Sequence, residues 1–260
     1  MARRRFLVEQ IRDNTAELRG EDARHLARVL RAAPGQQYEI SDGASLYLAE
    51  IAAVEKDRVV FRALEALDTP PDPVRLTLLT ALIKFDRFEW LVEKATELGV
   101  AAIVPVHAAR SEKGLLEAAR KRAERWRRIA YESSQQARRL RPPEIAEPQS
   151  MAQAVTATFF AASSAASGLR YFLDEKSGAP PLLSTIPPAA QRRADHAIAG
   201  IALLTGPEGG WTDGERAAAA AAGWAPASLG PLILRAETAA IAAAAMLLHA
   251  WWASQLECRT

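Results

Sequence analysis

The chain has 260 residues, 49% hydrophobic and 25% charged, a composition that excludes wholesale disorder and allows one large domain or two smaller ones. The single cysteine, Cys258, excludes a disulfide framework and indicates a reducing compartment. The four histidines lack metal-ligand spacing, so we expect no metal. No signal peptide is recognisable, and the longest apolar stretch, residues 239–248, is too short to span a bilayer. We therefore expect a cytoplasmic protein without a membrane partner.

The net charge of +2 is unevenly distributed along the chain. Residues 110–141 contain eleven Lys or Arg against four Glu, a local surplus of seven positive charges. The first 31 residues contain eight Arg against five acidic residues. Two local excesses of this kind favour a polyanionic partner such as a nucleic acid. For each segment taken alone, a solvated helix face is the alternative.

Residues 1–70 are predicted to form a small β-domain with one helix. Helical spacing of apolar residues places the helix at residues 21–30, and Pro34-Gly35 ends it. Alternating apolar and polar residues predict strands at residues 37–41, 46–50 and 58–64. Asp42-Gly43 is a hairpin signal, because both residue types tolerate a positive φ. Short strands joined by tight turns predict a small barrel or a curled sheet.

A proline-rich linker at residues 68–73 precedes a second domain, residues 74–260, in which strand and helix patterns alternate. This alternation predicts an α/β fold with a mainly parallel sheet. The predicted strands are residues 74–83, 101–106, 156–161, 169–173, 201–205 and 227–229. The predicted helices are residues 86–98, 114–140, 213–222 and 238–252. Asp86 with Glu89, and Thr212 with Glu215, form predicted capping boxes, and residues 180–188 are predicted to be irregular.

The first segment of chemical interest is residues 203–215, where a hydrophobic strand leads into Gly206-Pro207-Glu208-Gly209-Gly210. In open α/β sheets ligands bind at the carboxyl ends of strands, where glycines let the backbone approach them closely. The segment lacks the glycine spacing of the dinucleotide and P-loop fingerprints, which argues against both of those enzyme classes. A tight strand–helix turn that needs glycine for steric reasons alone is an equally good interpretation.

The second segment is residues 228–241, where a short strand ends in Gly230-Pro231 and an apolar loop leads to Arg235 and Glu237. Two charged residues in an apolar loop beside a helix start are an unusual combination. Helix capping is the structural alternative, with Glu237 facing the helix dipole and Arg235 paired to it.

Residues 206–210 and 229–238 together resemble the paired signature of the SPOUT superfamily, and specifically the bacterial 16S ribosomal RNA uridine-N3 methyltransferases (the RsmE family). The resemblance covers nearly the whole chain and is weakest at residues 151–200. Elsewhere it rests on Arg5-Phe6, residues 25–31, Pro34-Gly35, Asp42-Gly43, Lys84, Arg87, Glu89-Trp90, residues 94–100, residues 126–130, Gln136, Arg139 and residues 143–145. Phe85 and Gln135 stand where that family usually has a small residue and a Glu.

The resemblance implies that residues 74–260 form a trefoil knot, in which the chain from about residue 203 threads through its own loop and builds the S-adenosylmethionine pocket. It implies a PUA-like RNA-binding domain at residues 1–70, and a homodimer. The implied activity is methylation of N3 of a uridine in small-subunit ribosomal RNA, either as naked RNA or within the assembled small subunit.

Functional residues follow from the same resemblance. Those expected to bind the cofactor are Leu204, Thr205, Gly206, Glu208, Gly209, Gly210, Leu229, Gly230, Ile233, Leu234 and Thr238. Those expected to contact RNA phosphates are Arg5, Arg31, Lys84, Arg87, Arg138 and Arg139. Arg235 cannot act as a base, because a guanidinium stays protonated, so we expect it to stabilise negative charge on the uracil. Glu237 is the candidate base, or it orients Arg235.

Two other functions remain open on the sequence. One is a related knotted methyltransferase that modifies another nucleotide or a ribose 2′-hydroxyl. The other is a non-catalytic RNA-binding protein, which would not bind S-adenosylmethionine.

Overall fold

The computed structural model of the chain describes residues 4–69, 74–157, 167–176, 178–193 and 198–256, and they form two compact units. The first contains the described part of Met1–Pro71 together with Tyr131–Pro142. The second contains the described part of Asp72–Ala130 and Pro143–Thr260. Cys258 and residues 70–73 of the predicted linker lie outside the described residues.

The first unit is a curled sheet with one helix, α1 (Gly20–Arg28). Its strands are β1 (Arg5–Leu7), β2 (Ile11–Arg12), β3 (Thr15–Arg19), β4 (Gln37–Ser41), β5 (Leu46–Val54) and β6 (Arg58–Ala66). They lie in the order β1-β4-β5-β6-β3-β2; β1 pairs parallel with β4, and the other pairs are antiparallel. Two register shifts between β5 and β6 bend these strands. The predicted curled sheet is confirmed, as is the Asp42-Gly43 hairpin between β4 and β5.

Residues 131–142 belong to the first unit through specific hydrogen bonds. The Tyr131 hydroxyl lies 2.8 Å from Asp22 Oδ2 and 3.1 Å from the Leu7 carbonyl oxygen. Ser41 Oγ donates to the Leu140 carbonyl at 2.7 Å. Burial raises the pKa of the Tyr131 phenol, and the Asp22 carboxylate raises it further. The phenol therefore stays protonated and available as a donor.

The second unit is an α/β domain. Its strands are β7 (Leu76–Ala81), β8 (Ala102–His107), β9 (Glu144–Ile145), β10 (Gln149–Ser150), β11 (Ser167–Leu173), β12 (Ile198–Thr205) and β13 (Ala225–Ala227). Its helices are α2 (Phe85–Leu98), α3 (Leu115–Gln136, of which residues from Tyr131 onward belong to the first unit), α4 (Met151–Thr156), α5 (Leu182–Thr185), α6 (Ala189–Arg193), α7 (Asp213–Ala221) and α8 (Ala236–Leu256).

The sheet of this unit has the order β10-β8-β7-β12-β11-β13, with β9 beside β8. Every strand pair described in it is parallel, so the predicted α/β class with a mainly parallel sheet is confirmed. Threading of the chain through its own loop, which the family resemblance implies, stays a prediction. Among the described residues, no helix combines the length and the apolar character that a membrane span requires.

Side chains of the central strands alternate between two hydrophobic cores, one on each face of the sheet. In β7, Leu76 and Leu78 join the core formed with α2, α3 and α8, whereas Leu79 and Ala81 join the core formed with α4 and α7. All six residues of β7 are buried. Because helices cover both faces, a ligand reaches this sheet at the ends of its strands.

The predicted capping box at Asp86 is wrong. Helix α2 begins at Phe85, and Lys84 is its N-cap residue without a side-chain capping bond. Glu89 instead accepts hydrogen bonds from Arg122 at 2.9 Å and Arg125 at 2.7 Å. The bond from Arg125 lowers the pKa of Glu89, although burial acts in the opposite direction. Part of the positive charge of residues 110–141 is thus neutralised by a carboxylate outside that segment.

Two further expectations are corrected. Thr156 does not start a strand but ends α4, whose Ser150–Gln153 capping box and buried Met151, Ala154 and Val155 favour a helix. Residues 158–161 of that predicted strand lie outside the described residues. The proline-rich residues 180–188 are not wholly irregular, because they contain α5.

The predicted capping box at Thr212 is confirmed, and it extends to a neighbouring loop. Glu215 Oε2 accepts from the Thr212 backbone N–H at 2.8 Å, and the Thr212 hydroxyl accepts from the Glu215 N–H. The other carboxylate oxygen, Oε1, accepts from the Ala109 N–H at 2.8 Å. One buried carboxylate therefore joins the start of α7 to the loop after β8.

Replacing Glu215 tests this link. Glu215→Ala is expected to lower the free energy of unfolding by about 1–2 kcal/mol, because it removes the carboxylate half of the capping box and leaves the N–H groups of Thr212 and Ala109 without their acceptor. Asp213→Asn is the matched control in the same helical turn, since Asp213 is 87% exposed and its loss is expected to cost less than about 1 kcal/mol. Chemical denaturation of both variants gives the comparison, and equal losses would contradict the assigned role.

Candidate functional site

Both glycine-containing segments identified from the sequence contribute to the lining of the same cavity, whose volume is about 270 Å³. It lies at the carboxyl ends of β11, β12 and β13, which are neighbours in the sheet. Its lining comprises residues 173–175, residues 205–210, residues 227–230, residues 232–234, Ala236 and Ala239. The position agrees with the general rule for ligand sites in open parallel sheets.

Most of the residues predicted to bind the cofactor line this cavity. They are Thr205, Gly206, Glu208, Gly209, Gly210, Leu229, Gly230, Ile233 and Leu234. The Leu204 side chain lies instead in the hydrophobic core with Phe172 and Trp211, and it is fully buried. Thr238 is exposed on the first turn of α8 and is outside the lining.

Trp211 packs against the turn after β12. Its Nε1–H donates to the Leu173 carbonyl at 2.8 Å, and its ring stacks on Phe172 with 4.9 Å between ring centroids. A Cβ added at Gly206 would lie 3.0 Å from the indole ring, which is closer than ordinary van der Waals contact. A larger residue at this position would therefore press on the tryptophan ring, a long-range restriction that spacing alone could not reveal.

A second contact restricts Gly210, whose φ of 67° lies in the left-handed region. A Cβ there would overlap the carboxylate of Glu175, which follows β11. The turn is also held from outside, because Arg110 Nη1 donates to the Gly209 carbonyl at 2.8 Å. The first motif is thus a turn that residues from two other loops contact.

Sequence reasoning missed the acidic wall of the cavity. Asp174 and Glu175 follow β11, and Arg216 of α7 binds Asp174 Oδ2 at 2.9 Å and Glu175 Oε1 at 3.0 Å. Burial by itself raises the pKa of Asp174, but the hydrogen bonds from Arg216 and from the Lys176 backbone N–H, together with the positive charges of both residues, outweigh it and lower the pKa. An acidic pair directly after a predicted strand, at the same edge as the glycine turn, was the signal available in the sequence.

The second segment presents apolar side chains and one cation. Leu232 and Ile233 are 78% and 93% exposed, although both line the cavity. Arg235 is exposed and makes no ion pair with any residue that the structure describes. It therefore does not form the pair with Glu237 that was the structural alternative for this segment.

Glu237 is buried, and its ionic partner is Arg87. Its Oε1 lies 3.9 Å from Arg87 Nε, whereas its Oε2 has no hydrogen-bond partner within the described part of the chain. Arg87 Nη1 also donates to Glu208 Oε1 at 3.1 Å. Arg87 was predicted to contact RNA phosphate, and the structure places it between the two motifs.

The other residues predicted to contact RNA phosphates differ in whether a carboxylate already binds them. In the first unit, Glu39 accepts hydrogen bonds from Arg5 at 2.9 Å and from Arg138. The Arg139 backbone N–H donates to the Ser134 carbonyl. The remaining two, Arg31 and Lys84, are exposed and form no ion pair with any described residue.

Comparison with known proteins gives one family for both parts of the chain. The family model described as an RNA methyltransferase domain matches residues 70–248, and that of an RNA methyltransferase PUA domain matches residues 18–64. The chain is 32% identical over 243 residues to the ribosomal RNA small subunit methyltransferase E of Synechocystis, covering 92% of this chain and 74% of that protein. Identity to the protein of the same name from Bacillus subtilis is 30%, with 86% of each chain covered.

Solved structures give the same result. The small subunit methyltransferase E of Neisseria gonorrhoeae, bound to S-adenosylmethionine, superposes with a TM-score of 0.81 at 29% identity, covering 96% of this chain and 98% of that one. A Legionella pneumophila protein solved with the same cofactor has a TM-score of 0.79 at 28% identity, with 98% of each chain covered.

The turn after β12 can be tested without a ligand. Gly210→Ala is expected to lower the free energy of unfolding by about 1–2 kcal/mol, because alanine resists a positive φ and displaces the Glu175 carboxylate. Gly214→Ala is the control, since Gly214 lies in α7 with open space around it, and a gain of about 0.5–1 kcal/mol is expected there. Denaturant titration of both variants measures the two changes, and a stable Gly210→Ala protein would contradict the steric argument.

Proposed function

The chain belongs to the RNA methyltransferase family, whose domain covers residues 70–248, and we propose that it methylates N3 of a uridine in small-subunit 16S ribosomal RNA. Its cofactor is S-adenosylmethionine, which is present in the related structures from Neisseria and Legionella. The resemblance to the RsmE family rests on relatives named ribosomal RNA small subunit methyltransferase E. The observation that carries the proposal is the single cleft lined by both sequence motifs.

The cavity suits the proposed cofactor chemically. Glycine turns expose backbone donors and acceptors of the kind an adenine edge requires, and the apolar side chains of Leu229 and Ile233 suit a flat ring. Asp174 and Glu175, which also line the cavity, provide negative charge, partly offset by Arg216, near a ligand that carries a sulfonium and an ammonium group.

When bound, the cofactor would supply an electrophilic methyl group to the uracil nitrogen, and the methyl C–S bond would break to leave the sulfur as a neutral thioether. The uracil N3–H is a weak acid, so the site accepts its proton and stabilises the anion spread over N3, O2 and O4. We assign the role of general base, which accepts this proton, to Glu237, because its Oε2 has no hydrogen-bond partner among the described residues. We assign charge stabilisation to Arg235, an exposed guanidinium just after the cavity-lining Leu234.

For RNA binding we assign the first unit, residues 1–70 of the proposed PUA-like domain, together with basic residues of the second. Among the proposed phosphate contacts, Arg31 and Lys84 are the strongest candidates. Both are exposed, and neither forms an ion pair with a described residue, so their positive charge is free to bind a phosphate. Arg5 and Arg138 both bind Glu39, and the Arg5 side chain is only 12% exposed, so these two are weaker candidates, and Arg139 stays a candidate. We also propose a homodimer, in which the exposed Leu232 and Ile233 find apolar surroundings.

The proposal is tested by methyl transfer to small ribosomal subunits that lack the modification. Labelled methyl groups are expected in the RNA, and nucleoside analysis is expected to give N3-methyluridine. A methyl group on another base or on a ribose 2′-hydroxyl would favour the related knotted enzymes. Failure to bind S-adenosylmethionine in calorimetry would favour a non-catalytic RNA-binding protein.

Arg235 provides a test of the mechanism. Arg235→Ala is expected to lower kcat by about 100- to 1000-fold, the usual cost of losing one charge-stabilising donor, with affinity for the cofactor retained. Arg235→Lys is the matched variant, and we expect it to recover only part of the rate, because an ammonium lacks the planar fork of a guanidinium. Single-turnover rates measure both, and unchanged turnover in Arg235→Ala would reject the assigned role.

Arg31 provides a test of phosphate binding. Arg31→Gln is expected to reduce the slope of log affinity against log salt by about 0.7–0.9, the contribution of one phosphate contact. Arg62→Gln is the control, because this exposed arginine of the same unit is already bound by Glu50. Filter binding of small-subunit RNA over a salt series gives both slopes. An Arg31→Gln slope equal to that of the unchanged protein would remove Arg31 from the RNA interface.

A further inference from the structure

Arg87 lies between the two motifs that line the cavity. Its guanidinium donates to Glu208 Oε1 at 3.1 Å, in the turn after β12, and lies 3.9 Å from Glu237 Oε1, at the start of α8. Two carboxylates therefore face one cation. An RNA phosphate at this position would have to displace them, and it would leave the buried Glu237 without its counter-charge.

The three partners differ in how firmly they are held. Arg87 stands on the first turn of α2, which is anchored by the buried side chains of Phe88 and Leu91. Glu237 is on the first turn of α8, and its side chain is 7% exposed. Glu208 belongs to a glycine turn and is 41% exposed. The bond from Arg87 thus ties the least constrained partner to two helices that are packed in the core.

We propose that Arg87 is a positioning residue: it holds the 206–210 turn against the start of α8 and so maintains the cofactor cavity, rather than binding RNA. The inference rests on the proposed function for the identity of the ligand. It replaces the assignment of Arg87 to phosphate contact. Glu208 is then the partner through which Arg87 acts on the cavity, because Glu208 lines it and Arg87 does not.

A double-mutant cycle tests the link, with the dissociation constant of S-adenosylmethionine measured by calorimetry. Arg87→Gln and Glu208→Gln are each expected to weaken binding by about tenfold, within the usual range for coupled charged groups. The double variant is expected to bind no more weakly than Arg87→Gln alone, since Glu208 meets Arg87 through this one bond, whereas Arg87→Gln also removes the counter-charge of Glu237. Additive losses would overturn the proposal. If Arg87→Gln does not fold, Arg87→Lys replaces it in the cycle.

Lys94→Gln is the matched control. Lys94 is on the same helix and also binds two carboxylates, Glu93 at 2.7 Å and Glu97 at 2.8 Å, neither of which lines the cavity. Its replacement is expected to leave cofactor affinity unchanged. A loss equal to that of Arg87→Gln would show a general effect of removing charge from α2 and would overturn the proposal.

RNA binding separates the two possible roles of Arg87. Lys84→Gln is expected to reduce the salt slope of RNA affinity by about 0.7–0.9, whereas Arg87→Gln is expected to leave that slope unchanged. A reduced slope in Arg87→Gln with unchanged cofactor affinity would restore the phosphate assignment. Because cofactor affinity is measured without RNA, a protein that fails to methylate ribosomal subunits still reports on the Arg87–Glu208 link.

Discussion

The site depends on the coverage of both faces of the parallel sheet. Leu78 and Leu79, adjacent in β7, enter different cores, and both are fully buried. A sheet enclosed in this way offers a ligand only the carboxyl ends of its strands, where backbone groups no longer pair with a neighbouring strand. β12, β11 and β13 end side by side, so their three following loops meet around one cavity.

Glycines and ion pairs have complementary roles at this edge. The absence of a side chain at Gly206 makes room for Trp211, and at Gly210 it makes room for the Glu175 carboxylate. Arginines from other elements then hold the loops: Arg216 binds the acidic residues after β11, and Arg110 binds the Gly209 carbonyl. The cavity is therefore preorganised by groups that are not themselves expected to react, which lowers the cost of ordering a ligand site.

The number of basic residues in a segment of the sequence does not equal the number of cations that remain unpaired on the surface of the folded protein. The basic surplus of residues 110–141 favoured a polyanionic partner, yet Arg122 and Arg125 bind Glu89 of α2, and Arg127 binds Glu147. Phe85, which departs from the family pattern, packs on Trp126 beneath the Arg122 guanidinium. Ion pairs with distant carboxylates thus neutralise part of this positive charge within the folded protein. RNA contact is better assigned to exposed cations without an ion pair.

Local patterns were sufficient for β4, β5 and β6, for the central strands of the parallel sheet, for the Thr212 capping box and for the two cavity-lining motifs, because periodicity, caps and turn chemistry act over a few neighbouring residues. They did not predict the short strands β1, β2, β3, β9 and β10. The error at Thr156 has a local cause, the Ser150–Gln153 capping box, whereas the error at Asp86 has a long-range one, because Arg122 and Arg125 bind Glu89. The partners of Glu237, the role of Trp211 and the bond from Arg216 to Asp174 arise between residues far apart in the chain. Such contacts follow from how elements pack, a three-dimensional arrangement that residue spacing does not encode.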